Sequence, residues 1–113
     1  MAENGRLMPQ DLEAERSLLG AILLEESSGQ KAGSFPDILE KLSDKDFYDK
    51  KHGAIFRAMT SLYEHGQPID LLTLTSELRN LKLLKEIGGS PYLAELTNVV
   101  PTASHIMSYA ELV

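Results

Sequence analysis

Asp46–Leu78, DFYDKKHGAIFRAMTSLYEHGQPIDLLTLTSEL, reads as a helix, a stop and a second helix. Ile55, Phe56, Met59, Leu62 and Tyr63 recur at helical spacing and share one face, while Arg57, Ser61 and Glu64 fall mainly on others. Gly66 suits the left-handed backbone that ends a helix, and Pro68 cannot extend one. Asp70 then offers a side-chain oxygen to cap the next helix, whose Leu71, Leu74, Leu78 and Leu81 form a second stripe. A turn as short as HGQP sets the helices back to back, so both stripes bury against each other or a shared third element.

Working outward, residues 1–9 form a polar tail ending at Pro9, and a helix is expected from Asp11, a plausible N-cap with Glu13 and Glu15 at the positive end of the dipole. Leu12, Leu19, Ile22 and Leu23 are its main stripe; Ala14, Leu18 and Ala21 widen it enough to imply burial on several sides. Gly20 costs about 1 kcal/mol of helix propensity relative to Ala, which close approach of a neighbouring helix would offset. Residues 25–34, EESSGQKAGS, lack apolar periodicity and read as a loop insertion. A short helix follows at Phe35–Pro36 with Phe35, Ile38, Leu39 and Leu42 on one face; Ser43 or Asp44 ends it, and Phe47–Tyr48 should enter the core.

Beyond Leu81 the chain turns at Gly88–Gly89, and Ser90–Pro91 predicts a helix with Ser90 as N-cap, carrying Tyr92, Leu93 and Leu96 and stopping before Pro101. Thr102 should cap a last helix in which Ile106, Tyr109, Ala110 and Val113 align. Ending on an apolar phase, that helix is expected to continue in a longer parent. No alternating strand pattern is visible, so the expected class is all-α, a compact bundle of about six helices.

At 113 residues, with 42% hydrophobic and 25% charged residues, the chain can bury a core of its own. A net charge of −6 disfavours duplex DNA as its direct ligand. Absence of cysteine removes disulfides, thiol nucleophiles and Cys-ligated zinc. No apolar run is long enough to span a bilayer and no signal peptide is evident, so the expected location is cytoplasmic. His52, His65 and His105 stand at no metal-ligand spacing, and Glu13/Glu15, Glu25/Glu26 and Asp44/Asp46 read as solvated helix ends. There is no Gly-Lys pair for a phosphate loop, and Gly88–Gly89–Ser90–Pro91 reads as a tight turn. No catalytic, nucleotide or metal residue is therefore nominated. An alternative reading takes residues 71–89 as a helix-turn-helix DNA-binding module, with Arg79, Lys82 and Lys85 facing phosphate.

Five strings in series carry a resemblance: DLEAERSLLGAILLE; DFY with His52, Ile55, Phe56 and Met59; GQPIDLLTLTSEL; IGGSPYLAEL; and VPTASHIMSYAELV. Together they resemble the N-terminal domain of the DnaB family of bacterial replicative DNA helicases, in the family's order, over about residues 9–113. The long 25–34 stretch is the main departure. The resemblance implies a flexible tail at 1–9 and a helical collar domain at 10–113, without catalysis of its own. The ATP- and Mg-dependent motor domain would lie C-terminal to it and is absent from this chain. Self-association as dimer pairs within a hexamer, docking of a DnaG-type primase, contact with a helicase loader, and single-stranded DNA only through the parent helicase are the implied partnerships, with no membrane. Tyr92, in GGSPYLAEL, is the candidate primase contact; Ile106, Tyr109, Ala110 and Val113 are the candidate subunit contacts.

Overall fold

A computed structural model describes residues 9–27, 34–98 and 106–113. Among the described residues the chain is all-α, as the sequence predicts: α1 (Pro9–Ser27), α2 (Phe35–Lys41), a 3-10 turn (Asp44–Asp46), α3 (Lys50–Glu64), α4 (Leu71–Asn80), α5 (Gly89–Leu96) and α6 (Ile106–Leu112).

α1 is the axle of the bundle. Leu18, Leu19, Ala21, Ile22 and Leu23 are all inaccessible to solvent, because apolar side chains surround this part of the helix. It packs on α3, α5 and, over the longest stretch, α6. The helix starts at Pro9, two residues before the expected cap. Proline has no N–H to lose in a first turn, so Asp11 lies inside the helix rather than capping it. At the other end Glu25–Ser27 remain helical, and the Glu25 carboxylate accepts the Ser34 N–H at 2.6 Å and its hydroxyl at 3.1 Å. Those bonds tie the end of α1 to the start of α2; of the predicted insertion, residues 28–33 lie outside the described residues, as do Thr102 and His105.

The aromatic centre sits between α2 and α3. Phe56 meets Phe35 and Phe47 with ring centroids 5.6 and 5.0 Å away, and Phe35 takes Tyr63 edge-on at 5.5 Å. Ile55, Phe56, Met59 and Leu62 are buried, whereas Tyr63 lies at the edge of the stripe and is 43% exposed. Tyr48 does not follow Phe47 into the core and is 62% exposed. Phe47 has extended backbone, so consecutive side chains leave it in opposite directions. The 3-10 turn sits directly on α3 at Gly53, where an added Cβ would stand 2.8 Å from the Asp44 carbonyl oxygen.

Two helices and the turn that follows α4 close by one device. The N–H of Gln67 bonds the Leu62 carbonyl while that of Gly66 bonds Tyr63; Leu83 and Lys82 repeat the pattern on Leu78 and Arg79, and Gly89 and Gly88 on Leu84 and Lys85. This is the Schellman closure, which needs a left-handed residue at its pivot: Gly66 at φ 69°, Gly88 at φ 103° and, without glycine, Lys82 at φ 63°. Asp70 caps α4 as predicted, accepting the Thr73 N–H at 2.9 Å while Thr73 Oγ1 accepts the Asp70 N–H at 2.9 Å. Leu74 and Leu78 are buried but Leu71 and Leu81 lie at the rim, and Ile69 in the turn is buried instead. The Ser61 hydroxyl donates to Glu77 at 2.7 Å and joins the two helices directly. α5 begins at Gly89 with Gly88 as its cap, not Ser90, because the chain leaves the preceding closure already turning into the helix.

Candidate functional site

Glu15, His52 and Tyr92 come from α1, α3 and α5 and meet in one run of hydrogen bonds. Glu15, read from the sequence as a solvated helix end, is only 3% exposed. It lies three and four residues before the buried Leu18 and Leu19, so the helical period turns it inward with them. Its carboxylate accepts the backbone N–H of Tyr48 at 2.6 Å and of Asp49 at 3.3 Å. Those residues lead into α3, so a negative group sits at the positive end of that helix. Asp49 adds the cap itself, accepting the Lys51 N–H at 3.0 Å.

His52, one turn before Ile55 and Phe56, is fully buried. Its Nδ1 lies 2.7 Å from Glu15 Oε1 and its Nε2 lies 2.6 Å from the Tyr92 hydroxyl. An ionised carboxylate only accepts, so the ring nitrogen facing Glu15 is the donor, Nδ1–H, and a ring protonated there alone accepts the Tyr92 O–H at Nε2. Every atom of the run is satisfied, and among the described residues no buried side-chain nitrogen or oxygen is left without a partner.

Tyr92 is the outer end of this run. Its ring is half-buried, stacks on His52 at 5.9 Å between centroids, and carries the Lys51 ammonium 4.3 Å from its centre. Gly88 packs beneath it: an added Cβ would stand 3.1 Å from Tyr92 Cβ. Burial raises the phenol above its usual range; Arg16 draws it back by charge and hydrogen bonding, while Asp49 and Glu95 push it up. The result is an aromatic ring held in one orientation beside a cation.

The other expected residues fall elsewhere. Ile106 and Ala110 are buried in the chain's own core, and Tyr109 and Val113 are partly buried against it. The stripe of α6 is therefore covered from within, above all by α1. His65 Nδ1 donates to the Ser61 carbonyl at 2.7 Å, at the end of α3. The helix-turn-helix reading fails on geometry. α4 closes at Lys82, the stretch to Gly88 is turns, and the next helix, GSPYLAEL, carries no basic residue. The N–H groups of Gly88 and Gly89 are bonded to the Lys85 and Leu84 carbonyls. Among the described residues no three metal-ligating side chains gather, and no helix is long and apolar enough to cross a membrane.

A family model for the DnaB-like helicase N terminal domain matches residues 7–113. The chain belongs to that family. It is 46% identical over 110 residues to the replicative DNA helicase DnaC of Bacillus subtilis, covering 97% of this chain and 23% of that protein. With the replicative DNA helicase DnaB of Mycobacterium leprae the identity is 42% over 109 residues, covering 96% of this chain and 17% of that one. The crystal structure of the N-terminal domain of DnaB helicase from Mycobacterium tuberculosis matches with a TM-score of 0.82 at 40% identity, covering 94% of this chain and 69% of that one. The chain thus spans less than a quarter of the length of these two curated relatives. As a DnaB-like N-terminal domain it has the fold expected from the resemblance.

The Glu15–His52 pairing escaped the sequence reading although a signal was present. A glutamate and a histidine each sat at helical spacing from a buried stripe, where a polar residue needs a partner.

Proposed function

We propose that this domain is the non-catalytic collar of a hexameric replicative DNA helicase, supporting ring assembly and presenting the Tyr92 face to a DnaG-type primase. The observation that carries the docking reading is the fixed, partly exposed Tyr92 ring, bonded through His52 to Glu15 and flanked by Lys51. Family membership and the replicative helicases among its relatives support the wider role. In this reading ATP and magnesium belong to the motor domain of the parent, as does single-stranded DNA, and a helicase loader meets the assembled ring in the cytoplasm. Self-association through α6 engages Tyr109 and Val113 at the edge of its stripe, while the buried Ile106 and Ala110 hold the helix in place.

Sedimentation of this chain beside a version extended past Val113, with fluorescent DNA titrated at several salt concentrations, tests the assignment. The extended chain should associate more strongly, and neither should bind duplex DNA. Equal masses would remove the assembly role, and affinity for duplex that falls steeply with salt would restore the DNA-binding alternative.

A further inference from the structure

A second surface lies on the other side of the 3-10 turn, and the collar role makes no use of it. A cleft of about 490 Å³ opens between that turn, the start of α3 and the segment after α4. Its apolar lining is Phe47, Ala54 and Leu83, all buried or half-buried. Lys45, Lys50 and Arg57 line it as well, and all three are exposed. We infer that this cleft docks an acidic peptide segment of a partner protein, with one aliphatic or aromatic side chain of that segment seated on the apolar lining.

Charge complementarity decides the occupant. The chain carries a net charge of −6, yet these three cations face only Asp44 and Glu86 across the cleft. Arg57 reaches Asp44 at 3.6 Å, while no ion pair among the described residues engages Lys45 or Lys50. The local sign is therefore opposite to that of the whole molecule, and an acidic segment repelled elsewhere is drawn here. An apolar lining of only three side chains within a charged rim suits one side chain of a peptide better than a run of bases. Single-stranded nucleic acid needs a series of stacking faces, but Phe47 is buried against Phe56 and only Tyr48 stands open at the rim.

The test uses the full 113-residue chain, labelled with nitrogen-15, and a fluorescein-labelled peptide of alternating glutamate and leucine. Controls are its glutamine counterpart and an oligothymidylate. The glutamate peptide should shift amides of residues 44–57 and 83–86, more weakly as salt rises. Lys45→Glu with Lys50→Glu should weaken it by about tenfold or more, and Glu86→Lys should tighten it. These exposed positions leave the melting curve in place, and Tyr92→Ala should leave this binding unchanged, which separates it from the primase reading. Equal binding of the glutamine peptide, indifference to charge reversal, or absence of shifts at the cleft overturns the inference. Preferential binding of oligothymidylate, or the same shifts on raising protein concentration without peptide, overturns it equally.

Discussion

The two ends of α3 are held by different means. At its C-terminal end the contacts are local: Gly66 turns the chain, Asp70 and Thr73 cap the next helix, and Ser61 reaches Glu77 one helix away. At its N-terminal end the contacts come from afar, since Glu15 arrives from α1 and Tyr92 from α5. Local closures depend on residue type and spacing, and each is modest alone. The distant junction depends on the whole bundle being assembled, and losing one member leaves several buried groups without partners.

The sharpest way to break the contrast is Glu15→Ala. It leaves the His52 Nδ1–H and the Tyr48 and Asp49 N–H groups facing an empty site, and at about 1–3 kcal/mol for each buried donor left unsatisfied, unfolding in urea should show a loss of about 3 kcal/mol or more. A loss under about 1 kcal/mol would mean that water replaces the carboxylate readily. Gly53→Ala comes next. Its Cβ meets backbone, not a movable side chain, so overpacking of about 1–3 kcal/mol should exceed the gain of about 1 kcal/mol in helix propensity, and the melting temperature should fall.

The local devices should give smaller effects of opposite sign. Asp70→Ala removes the cap of α4 and should cost about 1 kcal/mol. Lys82→Gly relieves a left-handed lysine and should stabilise by up to about 1 kcal/mol in the same urea titration. The last effect is on pH dependence. The Tyr92 phenol is raised in the folded state, chiefly by burial, so its protonated form is favoured there. That contribution is complete below the unfolded tyrosine value near 10 and is lost as pH rises through the folded one. Stability should decline across that range and level off above it, and Tyr92→Phe should flatten the decline.

The same contrast explains what could be read from the sequence. The α3–α4 hairpin was legible because Gly66, Pro68 and Asp70 act within a few residues of where they stand. The wide stripe of α1 announced its central position for the same reason. Lys82 was illegible as a helix stop, since lysine carries no conformational signal and takes the left-handed turn only because the α4 closure holds it. Tyr48 was misplaced because a pair of adjacent aromatics looks alike in sequence, while extended backbone sends only one inward. Tyr92 was singled out through family resemblance alone, and its partners, 37 and 40 residues apart along the run, could be joined only by the fold.

The central claim is that the Tyr92 face meets another protein. Calorimetric titration of the helicase-binding domain of a DnaG-type primase into the parent helicase, wild type against Tyr92→Ala, measures this directly, with Tyr92→Phe retaining the ring. The account predicts affinity at least about tenfold weaker for Tyr92→Ala, largely restored in Tyr92→Phe, with the fold intact by melting. Equal affinities for wild type and Tyr92→Ala would contradict it.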